Sequence, residues 1–187
     1  PTTRVALLGS WVNGPMISNG TLTRLMERVN LSTGQAVVVA VRNRIWSEYI
    51  HVVQARDALR LFVVKGSRRP LVCSGTGYAL LPDLPDNEIK RIALRYNAET
   101  GENVCLSYLL EQVDEVRIKG WAASYDKVTP GGGMIAMQLP QLGGEERIVL
   151  GIAGPTNVLQ EQEAEFVSAM QEEIASIFTT VEPEPLL

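Results

Sequence analysis

The chain has 187 residues, of which 45% are hydrophobic and 20% charged, and a formal net charge of −4 at pH 7; this is the make-up of one ordinary globular domain, long enough to bury a core and too apolar for disorder. Its acidity argues against a surface that grips nucleic acid unaided, which would need clustered Lys and Arg. No apolar run approaches the roughly 20 residues that span a bilayer, and the start, PTTRVALLGSW, lacks the layout of a secretory signal, so a cytoplasmic location is expected.

The first predicted element is a helix in LTRLMERV, where Leu22, Leu25, Met26 and Val29 share a face and Gly34 sits where the helix would end. Three β-branched or aromatic runs follow, QAVVVAVRN, IWSEYIHVVQ and LRLFVVKG, and read as strands of an antiparallel meander. Arg56, Arg60, Lys65, Arg68 and Arg69 crowd the end of this stretch, offset only by Asp57. The cluster fits either a solvated strand edge or a positive rim that draws in an acidic ligand.

Next comes GSRRPLVCSGTGYALLPDLP, with a lone cysteine and three glycines between the β-rich run and a helical one. In PDNEIKRIALRY, Pro85 suits a first helical turn, and Asp86 and Glu88 favour the helix dipole. CLSYLLEQVDEVRIKG places Leu106, Leu109, Leu110 and Val113 on one face, with Arg117 and Lys119 in the last turn and Gly120 just beyond. Three more extended runs, WAASYD, MIAMQL and RIVLGIAG, are joined by the loops KVTPGGG and PQLGGEE. A single final helix is predicted from about Leu159 to Phe178, on the spacing of Val167, Met170, Ile174 and Ile177, and VEPEPLL should fray. Strands arriving in threes favour an antiparallel sheet, so the fold class expected is α/β (α+β), one domain with a central antiparallel sheet of about six strands flanked by helices.

The chemistry-bearing candidates are few. CSGTG contains G-x-G, but no G-K-[ST] follows and Leu80 holds the place of a third glycine, which argues against a nucleotide-phosphate cradle. A Cys73 nucleophile would need a base, and the only histidine, His51, lies in a predicted strand; a cysteine-dependent hydrolase is a remote alternative. Cys73 and Cys105 form no C-x-x-C pair and are expected as free, largely buried thiols. One histidine with scattered carboxylates makes no metal set, and no cofactor is expected. Gly75, Thr76 and Gly77 either leave backbone N–H groups open to a small anion or merely allow a tight turn and close helix–sheet packing.

RRPLVCSGTGYALLPDLPDNEI, then EVRIKGWAASYDKVTPGGGMIAMQLP, then VLGIAGPTNVLQEQEAEF, in this order and spacing, resemble the effector-binding domain of IclR-type transcription regulators, and TGQAVVVAVRNRIWSEYIHVV resembles the family's first strands. The resemblance implies a GAF-like fold, a pocket for a small-molecule effector, a homo-oligomer (dimer or tetramer), and no enzymatic activity. It implies that residues 1–18 are the remnant of a linker helix from a missing N-terminal winged helix-turn-helix, that 19–181 form the effector-binding domain and that 182–187 are a frayed tail. DNA would then be contacted only through the absent module, and no membrane is involved.

Carried over position by position, the resemblance implies an apolar wall at Ala58 and Leu61, a backbone-amide corner at Gly75 and Thr76 with Gly77 beside it, and a hydroxyl in the family's acidic or hydroxyl position at Ser124. The departures are Lys127 for a glutamate, Met134 for a small residue, Gly151 and Ala153 for paired serines, and Tyr78 for a lysine. Each missing hydroxyl donor costs a buried carboxylate about 1–3 kcal/mol, while Gly151 and Ala153 clear volume and Met134 offers an adaptable apolar surface. The expected effector is therefore larger and more apolar, an aromatic acid or phenolic, its acidic end meeting the Gly75–Gly77 amides or Lys127. The alternative is a ligand-free dimerisation module whose pocket has decayed.

Overall fold

The computed structural model describes residues 20–56, 61–141 and 147–178. The expectations for residues 1–18 and 182–187, and for Ala58 and Arg60, lie outside the described residues.

In chain order the elements are α1 (Thr21–Thr33), β1 (Ala36–Asn43), β2 (Trp46–Val53), β3 (Arg68–Pro70), α2 (Gly75–Leu80), α3 (Asp86–Thr100), α4 (Leu106–Lys119), β4 (Trp121–Tyr125), β5 (Gly132–Gln138), β6 (Ile148–Pro155), α5 (Thr156–Glu161) and α6 (Glu163–Phe178). The strands form one six-stranded sheet in the order β3-β2-β1-β6-β5-β4, antiparallel at every junction. The sheet is apolar on both faces because β1 and β6 are continuous Val, Ile, Leu and Ala runs rather than alternating ones. Val38, Ala40, Met134 and Ala136 point to the layer of α2, α3 and α4. Val37, Val39, Ile135, Leu150 and Ile152 point to α1 and α6 on the other side.

Two expectations change. The run LRLFVVKG forms no ladder over its described residues; the third strand is the short β3 instead, pairing Arg68, Arg69 and Pro70 with Glu48, Ser47 and Trp46. The physical reason lies in Gln54, whose side-chain amide donates to the Val63 carbonyl (2.6 Å) and accepts from the Val63 N–H (3.2 Å), replacing a strand neighbour. Gly66, at φ 83°, then turns the chain and donates its N–H to the Tyr49 carbonyl at 2.7 Å. The final helix is two helices: Gln162 leaves helical geometry at φ −113°, ψ 18°, and separates α5 from α6.

Candidate functional site

The glycine-rich stretch forms the short helix α2, pressed onto the sheet. Ser74 caps it, accepting the Gly77 N–H at 3.1 Å while donating to the Pro70 carbonyl at 2.6 Å. A Cβ on Gly77 would fall 2.5 Å from the Leu71 Cα and 2.7 Å from its carbonyl carbon, and a Cβ on Gly75 2.8 Å from the Met134 carbonyl oxygen. Both glycines are thus required by close packing. The Gly75 N–H donates to Ser124 Oγ at 2.8 Å, which occupies an amide expected to receive an anion. The buried Thr76 hydroxyl accepts from Ser47 Oγ at 2.9 Å and bonds Tyr49.

Above this corner lies a pocket of about 60 Å³ whose wall includes Leu61, Ser124 and Met134, together with Tyr49 and Arg69. Gly151 and Ala153 of β6 are not among its lining residues, Ala153 standing directly opposite Met134 in the ladder. The space that Gly151 clears is filled: the Met134 Sδ lies 2.7 Å from where its Cβ would stand, with Val38 and Thr76 methyls at 3.2 and 3.3 Å. Ala58 lies outside the described residues.

Tyr49 was not singled out from the sequence, and Arg69 only as one of a basic run that could form a positive rim; both line the pocket. The Arg69 guanidinium carbon lies 5.6 Å from the centre of the Tyr49 ring. Burial pushes the Tyr49 phenol up, and Arg69 and the bond to Thr76 pull it back. The signal for Arg69 was the basic run, which disperses in three dimensions. Arg56 bonds Asn30 at 3.0 Å, Arg68 faces Glu48 at 3.6 Å, and Arg69 alone of those three lines the pocket.

Lys127 is not among the residues lining that pocket. It lines a larger groove, about 280 Å³, that follows the outer edge of β4. Its Nζ stands 5.2 Å from the centre of the Tyr108 ring. Ser124 borders both spaces.

Cys73 is not set up as a nucleophile. Half-buried Cys73 is pushed up to about 11 by burial and then by Glu102, with Lys127 opposing. The groups acting on His51 are Lys65 and Glu27, a different set, and burial holds its imidazole below the usual range. Cys105, expected to be buried, is exposed at the start of α4; both thiols are free as expected.

Residues 20–178 match the family model described as bacterial transcriptional regulator IclR C-terminal. The chain is 30% identical over 139 residues to the HTH-type transcriptional repressor AllR of Escherichia coli (strain K12), covering 73% of this chain and 51% of the relative. It is 28% identical over 138 residues to the HTH-type transcriptional regulator BhcR of Paracoccus denitrificans, covering 72% and 48%. The chain thus spans about half the length of these curated relatives. In fold it matches the crystal structure of the effector domain of the transcriptional regulator IclR from Acinetobacter sp. ADP1, with a TM-score of 0.80 at 22% identity over 88% of this chain and 98% of that one. These relatives are transcriptional regulators rather than enzymes, and the chain belongs to the IclR family of bacterial transcriptional regulators, matching their C-terminal domain.

Proposed function

We propose that this domain senses a small organic acid in the pocket above Met134 and that the bound acid alters operator binding by a helix-turn-helix module elsewhere in the full regulator. The observation that carries the reading is Arg69, a guanidinium on the wall of a pocket bordered by Leu61, Ser124 and Met134. A guanidinium grips a carboxylate in bidentate fashion, and here it takes the part that the Gly75–Gly77 amides were expected to play. At about 60 Å³ the pocket is well below the ~150 Å³ of a cavity that holds benzene. An aromatic acid or phenolic therefore enters only if the thioether of Met134 swings off Gly151, a motion suited to an unbranched side chain. A homo-oligomer, dimer or tetramer, and a cytoplasmic location belong to the same reading.

The test is a thermal-shift screen with short keto acids, aromatic acids and phenolics, followed by calorimetry on wild type, Leu61→Trp and Arg69→Met. A ligand that binds only the folded state stabilises it by about 2.7 kcal/mol at a hundredfold excess over Kd. The expected result is a dose-dependent shift that, for the short keto acids, Leu61→Trp abolishes and Arg69→Met reduces to at least tenfold weaker binding. The filled space over Gly151 and the occupied Gly75 N–H favour the second reading, a module that only dimerises; a tight oligomer with no shift across the library would establish that reading instead.

A further inference from the structure

Among the described residues the outer edge of β4 bears no strand, and the 280 Å³ groove along it is walled by four aromatic rings, those of Tyr78, Tyr108, Trp121 and Tyr125. Two ammonium groups stand over two of these rings, Lys119 at 5.6 Å from the Trp121 centre and Lys127 at 5.2 Å from that of Tyr108. We propose that this groove is a second binding site, for a planar aryl acid, separate from the pocket above Met134.

The charges in the wall are unequal in what they leave available. Lys119 is engaged by Glu115 at 2.9 Å, and the Glu163 carboxylate accepts the Tyr125 hydroxyl. Lys127 forms no ion pair among the described residues. It is the cation left to meet an incoming carboxylate.

Tyr78 supplies the second, independent observation. Its ring is buried, 2% exposed, while the residue forms part of the groove wall, and its hydroxyl is not one of the buried polar atoms left without a partner. Burial, with Tyr108 and Cys73 adding to it, pushes the phenol well above its ordinary range, so it remains a donor throughout the physiological range. A carboxylate seated there would accept from the Tyr78 hydroxyl and neutralise Lys127. The aryl body would then lie along the ring-lined wall, in a space larger than the ~150 Å³ that accommodates benzene.

The probe is 4-fluorobenzoate, followed by ¹⁹F NMR on the intact domain, with the Trp121 indole N–H read in parallel. The expected result is saturable binding that shifts the Trp121 signal and survives Leu61→Trp. Lys127→Met should weaken it at least tenfold, and Tyr78→Phe, which removes one oxygen and keeps the packing, severalfold. Binding that Leu61→Trp abolishes and both groove variants leave unchanged would overturn the second site while supporting the pocket. Absence of binding at millimolar probe would overturn it too, and would leave the pocket to be judged with the short keto acids.

Discussion

Gly151 and Met134 form a complementary pair, an absent side chain on β6 and a long flexible one on β5 filling its place. Gly151→Ala is expected to lower stability by about 1 kcal/mol, because a Cβ there displaces the thioether and presses on Val38 and Thr76. In a Met134→Ala background the same change should be nearly free, so denaturant midpoints of the two singles and the double should show a coupling of about 0.5–1 kcal/mol. Strict additivity would mean that Met134 is not what fills the space. The sequence reading recognised both residues as departures and saw the glycine as room, yet not that the methionine occupies it. That fact depends on register: Gly151 stands opposite Ala136, one diagonal step from Met134, and register across two strands is not written in either strand alone. Arg69 did not stand out from the basic run for a similar reason, since only pairing with Ser47 on β2 separates it from its charged neighbours.

At the scale of elements, helix ends were the most legible feature. Gly34 and Gly120, both read from the sequence, each close a helix at positive φ and return an N–H to a carbonyl four residues back; Gly101, which was not read, does the same for α3. What sequence could not separate is a glycine kept for its dihedral angle from one kept for closeness. Gly120→Ala meets open space at φ 81° and should lower stability by about 1 kcal/mol. Gly77→Ala drives a methyl into the Leu71 backbone, which cannot rotate aside, and should cost about 3 kcal/mol or more. Thermal melts of the two variants rank the mechanisms, and equal losses would contradict the packing account of α2. The illegible elements failed for nameable causes. LRLFVVKG has strand-like residues, but one glutamine side chain satisfies Val63 and no ladder forms there. The apolar spacing of the last helix continues past Gln162, where the backbone does not.

For the whole molecule, composition and strand grouping indicated one mixed domain with an antiparallel sheet, and that architecture stands. Sheet order was beyond reach, since it depends on β1 pairing with β6 across more than a hundred residues, a choice made by the collapse of both layers rather than by local preference. That pairing puts two opposite jobs on one strand. In β6, Gly151 packs against Met134 of the pocket wall while its chain neighbours Leu150 and Ile152 belong to the layer with α1 and α6. Adjacent peptides in a strand are joined without a joint, so a push delivered at Met134 or Gly151 arrives on the far side as a push on its helices. The sheet acts as a shared partition, thin and stiff, with the pocket as one room and α1 and α6 as the other. An acid seated in the pocket should therefore slow amide exchange not only in α2 but also in α1, which it never touches. Slowing confined to α2 and the 126–131 loop would show the partition to be deaf.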